Sequence, residues 1–165
     1  MTTIDRTPPT RQVYFHDPGA PPATIVVPSV FVAVRGPRGR LLLVRRCDSG
    51  AWELPGGRVD VGESAVEAAV RETAEEAGVA VRVTDLVGLF TDPGHVVSDP
   101  EGKVRQQFVV LLRGVAERGV PHGDLHETSA AGWVDVRDLP GLPIEPPVRA
   151  WIAHSLAPDG RPYLG

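Results

Sequence analysis

The sequence predicts a single α/β domain, and three observations carry that reading. Runs of β-branched and apolar residues recur along the chain, bounded by glycine and proline turn signals. Between them lies one segment with helical periodicity and its own start and stop signals. The length of 165 residues, with 42% hydrophobic residues, suits one domain with a substantial core and excludes wholesale disorder.

Taken in order, residues 1–24 hold Pro8, Pro9, Pro18, Pro21 and Pro22 and read as an extended arm. Tyr14 and Phe15 are its sticky residues, so it is either a free tail or an arm packed on the domain or on a partner subunit. Residues 25–34 and 41–44, joined across Gly36-Pro37-Arg38-Gly39, read as a strand, a hairpin turn and a second strand. Residues 79–90 and 104–112 give further strands, the latter nearly continuously apolar and therefore central. Residues 133–136 read as a short strand, and 147–156 as a terminal helix with proline in its first turn. The intervals 92–103 and 114–130 read as long loops, which in compact domains often carry function. The folded domain is expected over 25–157, followed by a tail at 158–165, with no internal repeat.

The clear helix spans residues 65–77. Ser64 with Glu67 three residues on makes a capping box, and Gly78 is placed to end the helix in the left-handed conformation. At about 100° per residue, Val66, Ala69, Val70, Thr73 and Ala77 share one arc, the expected buried stripe. Glu72, Glu75 and Glu76 share another. Three carboxylates at i, i+3 and i+4 repel one another. Spacing alone leaves them as a solvated acidic face or as the cluster of hard oxygen ligands that Mg²⁺ or Mn²⁺ requires.

Charge and cysteine usage narrow the classes. The formal net charge is −4 and no Lys/Arg block stands out, which disfavours duplex DNA as a partner. The single Cys47 cannot form an intramolecular disulfide, as suits a reducing compartment. The first ten residues lack the basic-then-apolar layout of a signal peptide, and no run approaches about 18 apolar residues. The expectation is a cytoplasmic protein without a membrane span.

The residues around the helix decide between the two readings of its carboxylates. From Gly57, five residues precede Glu63 and seven more precede Arg71-Glu72; Thr73-Ala74-Glu75-Glu76-Ala77-Gly78-Val79 follows. This pattern resembles the Nudix box of the Nudix hydrolases. All seven fixed identities are present: Gly57, Glu63, Arg71, Glu72, Glu75, Glu76 and Gly78. At roughly one in fifteen per residue, a chance match is of order 10⁻⁸ per start position. Thr73 departs from the larger aliphatic residue usual there, at a position on the core arc. The lead-in Trp52-Glu53-Leu54-Pro55-Gly56-Gly57 and the closing Trp133 with Leu139-Pro140 extend the likeness over about residues 25–157.

The resemblance implies an α/β/α sandwich around a mixed β-sheet, with the box as a loop–helix–loop. It implies a divalent-metal pyrophosphohydrolase whose metal ligands are the Gly56 carbonyl, Glu72, Glu75 and Glu76, with Arg71 orienting the glutamates. Those three glutamates and Arg71 are the catalytic candidates. The general base comes from Glu76 or from Asp99, Glu101 or Glu127 in the two long intervals. Gly57, Arg46, Arg58 and Gln107 are the candidate substrate contacts; Arg45 and Arg46 alternate faces, so only one can point at a phosphate. The five histidines show no ligand spacing and are read as structural or exposed, and Phe90 as a core residue.

For the substrate, the resemblance implies a nucleoside diphosphate linked to another moiety. Pro93, fifteen residues past Gly78, favours ADP-ribose or a nucleotide sugar, since family members that hydrolyse ADP-ribose tend to carry a proline there. The alternatives are a sanitising hydrolase of oxidised nucleoside triphosphates and, in another class, a nucleotide sensor without turnover. Decapping of RNA is disfavoured by the net charge. A homodimer is the family habit.

Overall fold

The computed structural model describes residues 10–158 and 160–165; Pro8 and Pro9 of the expected arm lie outside the described residues. In chain order the elements are β1 (Gln12–Phe15), β2 (Ile25–Arg35), β3 (Leu41–Arg46), β4 (Trp52–Glu53), β5 (Gly56–Arg58), α1 (Ala65–Ala77), β6 (Ala80–Phe90), β7 (His95–Ser98), β8 (Val104–Arg118), β9 (Thr128–Val134), α2 (Pro146–Leu156) and β10 (Tyr163–Leu164). Single 3₁₀ turns at Pro37–Gly39 and Val136–Gly141 complete the list.

The strands form one mixed sheet. β2 and β8 run parallel at its centre, in register from Ile25–Arg105 to Arg35–Val115. The far edge of β8 is shared: β7 pairs with its first residues and β6 with the remainder, both antiparallel. The far edge of β2 is shared in the same way by β5 at Ser29–Phe31 and by β3 at Arg35, and β3 continues the sheet to β4 and β9.

Period-two alternation then divides the core between two layers of helix. Val30, Val32 and Val34 of β2 face α1 and pack with Leu42, Val44, Ala68, Ala69 and Ala77. Phe31 and Ala33 face the other way and pack with Leu41, Leu43, Val109 and Leu111 beneath Val148, Trp151 and Ile152 of α2. The result is the α/β/α sandwich that the resemblance implies.

Three details differ from the sequence reading. First, β7 lies inside the interval read as a loop at 92–103. It has only four residues between the turn at Pro93-Gly94 and the turn at Asp99–Gly102, too short for a periodic signal. Second, β8 runs on to Arg118 and β9 begins at Thr128, so only 119–127 of the expected loop at 114–130 lies outside the strands. Beyond Leu112 this stretch is polar on one side because it is half-exposed. Third, the buried stripe of α1 is rotated from the expected arc. Val66 and Val70 are exposed, whereas Ala68, Ala69, Thr73, Glu76 and Ala77 are buried. Thr73 is satisfied there by donating its hydroxyl to the Ala69 carbonyl at 2.7 Å. Of the two readings of the arm, the described part takes the packed one: β1 pairs antiparallel with β7 from Gln12–Ser98 to Phe15–His95. Among the described residues, no helix is long and apolar enough to cross a membrane.

Candidate active site

Helix α1 is held at both ends before it presents any chemistry. The Ser64 hydroxyl accepts from the Glu67 amide at 3.2 Å, and the Glu67 carboxylate accepts from the Ser64 amide at 2.8 Å. At the other end Gly78, with φ of 66°, takes the left-handed conformation and donates to the Ala74 carbonyl. Thr128 of β9 donates its hydroxyl to the Glu76 carbonyl at 2.7 Å, fixing the last turn against the sheet.

The loop at Pro55-Gly56-Gly57 meets this helix through glycines that allow a close approach. A Cβ on Gly56 would strike the Val30 carbonyl and lie 2.7 Å from the Phe31 Cα, because β5 pairs tightly with β2. A Cβ on Gly57 would lie 2.6 Å from Cδ of Glu72. Loop backbone and helix carboxylate therefore share one small space.

Within that space Glu76 is 3% exposed, and its Oε2 accepts from the Gly56 amide at 3.0 Å. Burial pushes its carboxyl up to about 8, with the nearby Glu53 and Glu72 charges acting in the same direction. Burial also raises Glu72, against the Arg71 guanidinium that lies 3.0 Å away. Arg71 is the hub: it bonds Glu63 at 2.6 and 3.1 Å, Glu75 at 3.1 Å and the Arg58 carbonyl at 3.3 Å. Hydrogen bonds from Arg71 hold the Glu63 carboxyl below its ordinary range.

These groups open onto a cleft of about 470 Å³. Its lining includes Gly56, Gly57, Glu72, Glu76, Arg46, Arg58 and Gln107, so the structure brings together most of the candidates from sequence. Asp99, Glu101 and Glu127 line it too. Arg71, behind the glutamates it binds, and Glu75 are the two candidates outside the lining. The Glu75 side chain is 58% exposed and ion-paired to Arg71. Among the described residues, no three His, Cys, Asp or Glu side chains close on one point as a ready metal cage. Glu72, Glu76 and the Gly56 carbonyl remain the hard oxygen donors that could hold a divalent cation.

Of the adjacent arginines, Arg46 faces the cleft and Arg45 faces outward, as alternation requires. Arg46 is already engaged, paired bidentately with Asp48 at 2.7 and 2.8 Å and with Glu53 at 3.0 Å. Glu53 is a site residue that sequence reasoning quoted only as part of the lead-in. It is 4% exposed and lines the cleft, and a lone glutamate between Trp52 and Leu54 was the available signal. Arg11, from the arm, and the buried Ser29 also line the cleft and carried no motif. Pro93 is exposed and is not among the lining residues; its neighbour Asp92 pairs with His16 at 2.7 Å, beside a separate cavity. Phe90 packs against Trp151 and Tyr163, as expected of a core residue.

Comparison with known proteins agrees with this geometry. The NUDIX domain matches residues 26–155. A Bacillus subtilis (strain 168) protein provisionally named an 8-oxo-dGTP diphosphatase is 38% identical over 67% of this chain and 67% of its own length. An ADP-ribose pyrophosphatase of Methanocaldococcus jannaschii is 34% identical, over 62% of this chain and 59% of its own. Among solved structures, an ADP-ribose pyrophosphatase of Streptococcus suis superposes with a TM-score of 0.64 at 23% identity, covering 84% of this chain and 98% of that one. With the box complete from Gly57 to Val79, the sandwich around it and the domain matched across most of its length, the chain belongs to the Nudix hydrolase family.

Proposed function

We propose that the chain hydrolyses a phosphoric anhydride bond of a nucleotide, using Mg²⁺ or Mn²⁺ held by Glu72, Glu76 and the Gly56 carbonyl. The observation that carries this reading is the bond from the Gly56 amide to the buried Glu76 carboxylate at 3.0 Å. It ties the glycine loop and the helix into one rigid donor set at the cleft floor. A bound cation supplies the positive charge that lets a diphosphate approach these carboxylates and acidifies a water beside it.

The chain's own residues do the remaining work. Arg71 holds Glu72 and Glu63 by charge-assisted bonds and so fixes the donor geometry. Gly57 leaves the backbone bare where Glu72 approaches it. Gln107, 2% exposed and lining the cleft, offers a neutral contact to the substrate. Asp99, Glu101 or Glu127 takes the proton from the attacking water. Glu75 pairs with Arg71, and ligation of a metal by Glu75 would require it to leave that pair.

The relatives' names divide among 8-oxo-dGTP, ADP-ribose and RNA as substrates. A panel of ADP-ribose, nucleotide sugars and normal and oxidised nucleoside triphosphates, assayed in Mg²⁺ and Mn²⁺, tests the activity. Release of a monophosphate or of pyrophosphate identifies the bond cut. Glu76→Gln is the control. It should lower kcat by at least about 10²–10³-fold. It should melt no lower than the wild type near neutral pH, because the amide removes a carboxyl whose ionised form burial disfavours. Wild-type kcat for Glu76→Gln in Mg²⁺ would overturn the proposal.

A further inference from the structure

One end of the cleft carries positive charge that the metal-binding end does not use. Arg105 is the second residue of β8, where it pairs with Ile25 on one side and Val97 on the other. Arg11 immediately precedes the Gln12–Ser98 pair, so β1 and β7 bring it to the same end of the sheet as Arg105. Arg58 stands opposite Ser29 on β5, two residues from Gly56 and thus about 7 Å along the strand. All three line the cleft.

Among the described residues, none of these three side chains has a carboxylate salt-bridge partner or a hydrogen bond, in contrast to the fully engaged Arg46. The Arg105 Nε is buried with no partner. Burial and the charges of Arg11 and Arg58 lower the Arg105 guanidinium, with Asp99 offsetting part of that effect. An unpaired, part-buried guanidinium beside two others is costly, and an anion is what offsets the cost. A planar guanidinium binds phosphate oxygens in pairs, so phosphate fits the chemistry better than a single carboxylate.

We propose that Arg11, Arg58 and Arg105 form an anion subsite that takes a phosphate lying beyond the metal-held diphosphate. The substrate is then a nucleotide with three or more phosphates. This deepens the reading above and rests on it. The arm is part of the site, because Arg11 reaches the cleft only through the pairing of β1 with β7. The same chemistry occurs in a free nucleoside triphosphate and in a 5′-triphosphorylated RNA end.

Calorimetry in Mg²⁺ with inorganic pyrophosphate and inorganic tripolyphosphate isolates the third phosphate from any base recognition. The wild type should bind tripolyphosphate at least tenfold more tightly than pyrophosphate. In Arg105→Gln and in Arg11→Ala that advantage should fall below threefold, and Arg105→Lys should restore part of it. If Arg105→Gln fails to reach the wild-type melting temperature, Arg11→Ala, at the start of an edge strand, decides alone. An advantage that stays above threefold in the folded variants overturns the subsite. Failure of pyrophosphate to bind at all in Mg²⁺ strikes instead at the diphosphate site of the proposed function. Turnover of GTP, or of a 5′-triphosphorylated oligoribonucleotide, tells which source supplies the third phosphate. Turnover of ADP-ribose with neither of them overturns the subsite.

Discussion

Glu76 and Gly57 set the chemistry at the residue scale, and each does so by proximity. Glu76 lies on the buried stripe of α1, yet its carboxylate is held by a backbone amide and pushed up to about 8 by burial. A cation beside it would reverse that balance, since opposite charge favours the ionised form. Gly57 matters for a different reason. Its backbone needs no unusual φ, so Gly57→Ala tests close approach alone. The added methyl would press on the Glu72 carboxylate, the far end of a flexible side chain that can swing away. The expected outcome is a protein that melts within a few degrees of the wild type but needs about 10–100-fold more Mg²⁺ for half-maximal activity. A magnesium titration of initial rates checks it. The box residues were legible because their identities and spacing are fixed along the chain. Glu53 and Arg11 were not, because what makes them site residues is burial or strand pairing with distant segments.

At the scale of elements, α1 was the most legible piece, and its caps explain why. A capping box and a left-handed glycine are local signals, and the structure contains both. Ser64→Ala removes the side-chain acceptor for the Glu67 amide and should cost about 1 kcal/mol. For a chain of this size that is a drop in Tm of roughly 2–4 °C. Thermal melts of the two proteins at the same pH measure it, and an unchanged Tm would mean the sheet contacts of α1 hold its first turn without the cap. The rotated stripe was less legible. Val66 and Val70 are apolar and share an arc with Ala69, but the sheet receives the alanine face, where small side chains let helix and strands approach. β7 and the second half of β8 were hidden for a related reason. Their stability comes from pairing with β1, β6 and β8, not from an apolar run of their own.

Across the whole molecule, the two faces of the sheet have different tasks: one holds α1 and the carboxylates, the other is sealed by α2. The arm links them, because β1 extends the sheet at β7 while Phe15 comes within 6.0 Å, between ring centroids, of His95. His95 is 6% exposed and 5.8 Å from the Trp151 ring of α2. It has a lowered pKa of about 4, caused first by burial and then by the Arg11 and Arg105 charges, with Asp92 opposing them. The folded protein therefore resists protonating a histidine that the unfolded chain protonates near 6.5. The associated stability is complete above pH 6.5 and declines as pH falls toward 4, because the unfolded state then binds the extra proton. The full difference is on the order of 3 kcal/mol. His95→Phe keeps a ring between Phe15 and Trp151 and removes the titration. Urea unfolding of both proteins at steps from pH 7.5 to pH 4 should give curves that differ in their acid limbs, the wild type losing more stability than the variant below pH 6.5. Parallel limbs would mean that His95 is protonated in the folded protein without cost, and that β1, β7 and α2 do not enclose it as tightly as their contacts imply.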